Sequence, residues 1–252
     1  MSSDSILLHL NSKYASSFDR ETSSYQFNTN LIQIDDSWSI HLSVVNASIP
    51  YSFYNINSSN NLLYYQQLTT PSVTNTALYI PIGNYGAYQL ATYLTNNLPN
   101  TTVTYDSITN KYTFTNSLYN FKILSEFTTC EDILGFSTNN IYNSSQFKSL
   151  IVPFQLNLAS VQMIKIATNY NSGSISNLND HDMRVLCSFP VASSPYSLIT
   201  YSSDNKTRID LNNNTFNSIT IKILDQNEQP IDLNNLNFSL SLQLDFVNFV
   251  DF

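Results

Sequence analysis

Charge is what this chain has least of. Only 11% of its 252 residues are Asp, Glu, Lys or Arg, with 18 acidic and 10 basic, for a formal net charge of −8. Ordinary soluble proteins carry about 25%. No basic run occurs. Phosphate-backbone binding draws its energy from clustered Lys and Arg, so nucleic-acid binding is not expected. Cys130 and Cys187 are the only cysteines. They are too few for a disulfide framework or a four-ligand zinc site, and read as buried free thiols. Glycine is scarce too, and Gly83 and Gly86 lack the spacing and the lysine of a phosphate loop. They read as backbone turns opening a helix. The N-terminal MSSDSILLHLNSKY has no basic segment followed by a long apolar one, so no signal peptide is expected. No run reaches the roughly 18 apolar residues of a membrane span. The chain therefore reads as soluble and made in the cytoplasm.

Serine, threonine and asparagine fill the place of charge, beside 42% hydrophobic and 13% aromatic residues. That is enough to bury a substantial core, in one large all-β domain or two modest ones. A surface so uncharged has little self-repulsion and suits a protein packed against neighbours.

The stretch WSIHLSVVNASIPYSFYNIN, residues 38–57, organises the rest. Trp38, Ile40, Leu42 and Val44 alternate with Ser39, His41, Ser43 and Val45, the period of a strand with one face on a core. Ile49-Pro50 ends that ladder, since proline has no N–H to donate. Upstream, Tyr25 to Ile34 predicts a strand with Tyr25, Phe27 and Leu31 on one face, and Ile6 to Leu10 an edge strand or docking arm. Downstream, Tyr88, Ala91, Leu94 and Leu98 give the one good helical period. A hairpin follows around the turn DSITN, with Tyr112 and Phe114 facing one way, then Phe121 to Ile123 and a helical turn closed by Gly135. From Leu150 onward the strand pattern returns: Leu150 to Leu158, Val161 to Ala167, Arg184 to Phe189, Tyr196 to Tyr201, Asn217 to Leu224 and Asn237 to Val247. The expected fold is mainly β, an antiparallel jelly-roll sandwich of residues 1–71 and 148–252, with a small α+β insertion domain at 72–147.

No constellation carries chemistry. His9, His41 and His181 lie far apart, outside any metal-ligand spacing. Asp180-His181-Asp182 is the densest polar cluster and reads as a solvated loop. Asp35-Asp36 reads as a turn and Glu131-Asp132 as a short helix start. No catalytic, cofactor or metal residue is predicted, and no enzyme. The tyrosines, 17 in all, invite a glycan-stacking reading. Tyr51, Phe53 and Tyr54, with Trp38, are instead expected to pack the junction between sandwich and insertion or a subunit contact.

In order, three stretches resemble the penton (vertex) capsid proteins of virophages and Maverick/Polinton-like viruses: the opening WSIHLSVVNASIPYSFYNIN; GNYGAYQLATYLTNNL with TVTYDSITNKYTFT and ILGFS; and the closing VLCSFPV with LNFSLSLQLDF. The resemblance spans most of the chain, through strand and turn grammar. It implies a single jelly roll forming a homopentamer at the fivefold vertices of an icosahedral virion, seated among double-jelly-roll major capsid proteins. It also implies an insertion lifted from the shell, and no catalytic residue. The alternative is a receptor- or glycan-binding spike module on a β-sandwich.

Glycosylation sequons stand at Asn46, Asn57, Asn100, Asn143, Asn205, Asn213 and Asn237, as expected by chance in a chain this rich in Asn, Ser and Thr. With no signal peptide expected, all should be unmodified. Intact-mass measurement should then return the bare 28.6 kDa; a glycan increment would contradict the reading.

Overall fold

The computed structural model describes residues 4–170, 184–203, 208–211 and 215–248. The chain opens with β1 (Ser5–Asn11), the short β2 (Ser17–Asp19), β3 (Ser24–Gln33) and β4 (Trp38–Pro50). Next come β5 (Leu62–Gln67), β6 (Thr74–Tyr79), helix α1 (Ala87–Asn97), β7 (Thr101–Asp106), β8 (Lys111–Asn116) and β9 (Phe121–Leu124). The one-turn helix α2 (Glu131–Leu134), β10 (Ile141–Asn143) and β11 (Ser149–Ile151) follow. The last run is β12 (Met163–Thr168), β13 (Arg184–Pro190), β14 (Leu198–Ser202), β15 (Ile209–Asp210), β16 (Thr215–Leu224) and β17 (Ser239–Asn248). Contacts divide the chain into two units: Met1–Phe53 with Val161–Phe252, and Tyr54–Ser160.

In the first unit the main strands are, in order, β1, β3, β4, β12, β13, β14, β16 and β17. They pair from the outside inward: β1 with β17, β3 with β16, β4 with β14, and β12 with β13, all antiparallel. That nesting is a long hairpin. Rolling it up sets β17 beside β4 and β16 beside β12, and yields two sheets, β1-β17-β4-β14 and β13-β12-β16-β3-β2. This is a jelly roll, and the expected fold class is the one observed. Its core is made by the inward positions of both sheets, among them Ile40, Leu42, Ile164, Ile166, Ile219, Ile221, Ile223 and Leu242.

Two bulges change which residues face inward. Opposite the step from Ser241 to Leu242, β4 carries one extra residue. Ile40, Leu42 and Val44 are buried before it and Ala47 and Ile49 after it, so the inward phase changes from even to odd. A second irregularity lies between Phe216 and Ser218, opposite β3. It explains a departure from expectation: Tyr25 and Phe27 are buried, but Leu31 is 64% exposed, and Ile32 packs on the core in its place.

The second unit has its own core around Leu63, Tyr65, Leu90, Leu94, Tyr112, Phe114 and Phe121. It holds two antiparallel sheets, β10-β9-β5-β6 and β11-β8-β7, with α1 packed on β7. A buried polar network joins them: Tyr65 Oη lies 2.7 Å from Thr101 Oγ1, and Asn116 Nδ2 donates to both at 3.0 Å. On α1 the buried stripe is Leu90, Ala91 and Leu94, continuing to Leu98, while Tyr88 is 65% exposed. Tyr88 thus falls outside the stripe to which its spacing assigned it.

The insertion expected at 72–147 differs in extent from the unit Tyr54–Ser160. Leu62–Gln67 has the composition of any strand of the first unit, but as β5 it pairs with β6 and β9. The expected strand from Leu150 to Leu158 is regular only to Ile151. Pro153 interrupts it, and the backbone beyond donates to Gly135, Asn110 and Ile133 carbonyls. Gly135 caps α2 with φ 82°, and an added Cβ would sit 2.4 Å from the Phe154 carbonyl oxygen. Gly135→Ala combines left-handed strain with that clash. It should destabilise the second unit by at least about 2 kcal/mol, and an unchanged urea midpoint would refute the assignment.

Candidate functional site

The end of β4 is where the sequence placed its site residues. Tyr51 N–H donates to the Ser197 carbonyl, and Tyr196 N–H to the Tyr51 carbonyl, both at 2.9 Å. Ser52 Oγ donates to the Leu233 carbonyl at 2.6 Å, and Asn234 Nδ2 to the Ser52 carbonyl at 2.5 Å. The rings of Tyr51 and Phe53 stack at 4.3 Å. Phe53 is buried in the first unit's core, with Tyr51 packed against it. Tyr54 is half-buried and opens the second unit. Trp38 stands at the other end of β4, opposite Asn248, half-buried against the first unit's core. At about 3.3 Å per residue it lies roughly 40 Å along the strand from Pro50, so the structure brings Tyr51 and Phe53 together and leaves Trp38 apart.

In the second unit one side chain holds both ends of the segment. Asn55 N–H donates to Asn84 Oδ1, and its Oδ1 accepts from Tyr85 N–H, each at 2.9 Å. Its Nδ2 donates to the carbonyls of Tyr85 at 2.9 Å and Leu158 at 3.3 Å, and Asn60 Nδ2 donates to its carbonyl at 3.0 Å. The incoming chain is thereby tied to the outgoing chain at Leu158. Nothing in an asparagine-rich corner distinguishes Asn55 beforehand, because the bond to Leu158 joins positions far apart in sequence.

Potential chemistry elsewhere resolves into structure. On the outer face of the β1-β17-β4-β14 sheet, Ser39 Oγ lies 2.9 Å from His41 Nε2, and His41 stands opposite Asp245. The buried Asp245 carboxylate is met by Gln243 Nε2 at 2.5 Å and Arg208 Nε at 3.2 Å. That is an ion-paired cluster and not a proton relay. Asp35 accepts Trp38 N–H in a turn, and Glu131 and Asp132 lie in the first turn of α2. Asp180-His181-Asp182 lies outside the described residues. Among the described residues no group of three or more His, Cys, Asp or Glu could hold a metal. Both cysteines are free. Burial pushes the Cys187 thiol up to about 12 and raises Cys130 as well, which keeps both protonated and unreactive.

Sequence reasoning also passed over a surface. Residues 42 through 105 contain no Asp, Glu, Lys, Arg or His. Within this stretch, in the second unit, Tyr79 is 64% and Tyr88 65% exposed. Tyr93 Oη donates to the Tyr79 carbonyl at 3.1 Å, and the Tyr85 and Tyr93 rings meet edge to face. Such rings offer contact area at low entropic cost.

No known family matches the chain, and no characterised protein matches it in sequence. Among solved structures, the crystal structure of the selenomethionine-labelled mavirus penton protein is similar. The two share 11% identity at a TM-score of 0.56, over 97% of this chain and 100% of that one. At that identity the likeness is one of fold. No helix among the described residues is long and apolar enough to cross a membrane.

Removing the Asn55 side chain deletes three hydrogen bonds and strands buried backbone groups. Asn55→Ala should destabilise the second unit by about 2–4 kcal/mol. Faster amide exchange around Tyr85 should accompany it; native-like protection there would count against the clasp.

Proposed function

We propose that this chain is a structural, non-enzymatic capsid protein that forms homopentameric pentons at the fivefold vertices of an icosahedral virion. The observation that carries the reading is the nested eight-strand jelly roll with its second unit placed between β4 and β12. It is supported by the full-length likeness in fold to a penton protein. The second unit, Tyr54–Ser160, would be an insertion domain raised from the shell. Tyr51, Phe53 and Tyr54 would pack where the chain crosses between units. The jelly roll would sit among double-jelly-roll major capsid proteins, in a closed heterologous ring. With 11% charged residues, its contacts would rest on hydrogen bonds and fit more than on salt bridges.

A second reading, compatible with the first, has the second unit binding a receptor or glycan. The exposed Tyr79 and Tyr88, in a stretch of sequence without charge, favour it. Binding to a glycan array, lost on Tyr88→Ala, would support that reading.

Native mass spectrometry of purified protein should show a species of five times 28.6 kDa. Virions should carry about sixty copies, five at each of twelve vertices under closed symmetry. A chain that stays monomeric at high concentration overturns the vertex reading.

A further inference from the structure

The edges of the jelly roll's two sheets differ in how far they are blunted. An edge strand exposes a row of unpaired N–H and C=O groups. Proteins that stay apart blunt such edges with short strands, charges, proline or bulges. The β13-β12-β16-β3-β2 sheet follows this rule at β13 and at β2, which covers Ser24–Gln26 of β3. Its β2 edge is the three-residue Ser17–Asp19 with a carboxylate in it. Its β13 edge begins at Arg184, ends at Pro190 and pairs with β12 through an irregular register.

The other sheet breaks the rule along β1 and β14, and only the two-residue β15, which lies on the same side of β4 as β14, brings a carboxylate, Asp210, to it. Strand β1 reads SILLHLN and β14 reads LITYS, without Asp, Glu, Lys, Arg or Pro. Each pairs inward in unbroken register. Ile6 is 43% exposed, Leu7 50% and Leu198 59%. Among the described residues neither strand has a partner on its outer side.

Backbone parity shows which groups point outward. Ser12 N–H donates to the Phe238 carbonyl and Phe246 N–H to the Asp4 carbonyl. Even residues of β1 therefore bond to β17, and Ser5, Leu7, His9 and Asn11 turn their N–H and C=O away. Tyr51 N–H donates to the Ser197 carbonyl and Ser203 N–H to the Val45 carbonyl. Odd residues of β14 thus bond to β4, leaving Leu198, Thr200 and Ser202 outward; the Leu198 carbonyl takes the Ser193 hydroxyl at 3.2 Å.

Three successive antiparallel pairings separate β1 from β14, so the two edges run in opposite directions. Copies standing side by side in one orientation therefore present β14 of one antiparallel to β1 of the next.

We infer that copies of this chain associate head to tail by pairing the β14 edge of one with the β1 edge of its neighbour, continuing one sheet across the interface. The occupant of each edge is a second copy, because the matching edge is on the same sheet with the polarity that antiparallel pairing needs. The inference rests on the oligomeric reading above and assigns its contact.

Proline at an outward position removes a donor that the isolated fold does not use. Leu7→Pro and Thr200→Pro should each keep the native circular dichroism spectrum and weaken association at least tenfold by sedimentation velocity. Leu7→Lys and Thr200→Lys, which keep the N–H and add a guarding charge, decide the matter if either proline variant fails to fold. In the assembled wild type, amide exchange at Leu7, His9, Thr200 and Ser202 should slow relative to the dilute chain. Folded variants that assemble as tightly as wild type overturn the edge pairing and leave the oligomeric reading intact. A wild-type chain that never assembles overturns both.

Discussion

Strand β4 is the constraint on which the first unit depends. It pairs with β17 along its length and with β14 and β15 on its other side, so its backbone satisfies two ladders at once. Buried backbone groups must find partners, and a central strand of thirteen residues finds them only if the last strand returns beside it. That requirement rolls the hairpin. It also fixes where a second unit can leave: at the strand's end, where Pro50 withholds a donor and the chain is free to turn away. The hydrogen bonds of Tyr51 and Ser52 to residues 196–197 and 233–234 then fasten the departing chain to its own unit.

The second unit meets the same demand in another way. Its two small sheets have few residues each, so it relies on side-chain networks to close. Asn55 ties the incoming segment to Leu158, and the Tyr65, Thr101 and Asn116 cluster joins β5 to β7 and β8. Each of these polar groups is buried and satisfied, which is how such networks specify one arrangement instead of several. Asparagine and threonine serve here where another protein would place ion pairs.

Much of this was legible in the sequence because the jelly roll is built from alternation. Ile219, Ile221 and Ile223, and Leu240, Leu242 and Leu244, are all buried as their period requires. What alternation cannot give is phase across a bulge. Leu31 shows this: it shares parity with Tyr25 and Phe27, yet β3 advances four residues, from Asn28 to Ile32, against two of β16, and Leu31 goes to solvent. Nor can a local pattern say which strand pairs with which. Leu62–Gln67 reads as a strand of the sandwich and folds into the second unit, because its partners are β6 and β9. The site residues fared likewise. Tyr51 and Phe53 stack where an aromatic corner was expected, but Trp38 shares their stretch of sequence and not their place. Asn55 had no local signal at all.

Scarcity of charge bears on specificity as much as on solubility. Of the ion pairs among the described residues, Arg20 with Asp232 is largely exposed, while Lys165 with Glu228 and Asp245 with Arg208 are local to the jelly roll. Discrimination between right and wrong partners commonly uses misplaced like charges, and this chain has few to misplace. Backbone pairing and shape must carry it instead. A sheet edge selects by direction, by the alternation of side chains above and below, and by where its register starts and stops. In the proposed pairing, blunting one sheet's edges with Asp19, Arg184 and Pro190 while leaving β1 and β14 free of charge would confine association to one surface. It would give that association a head and a tail. A heterologous contact with a direction is what a closed ring requires, and here strand polarity can supply that direction without any added charge.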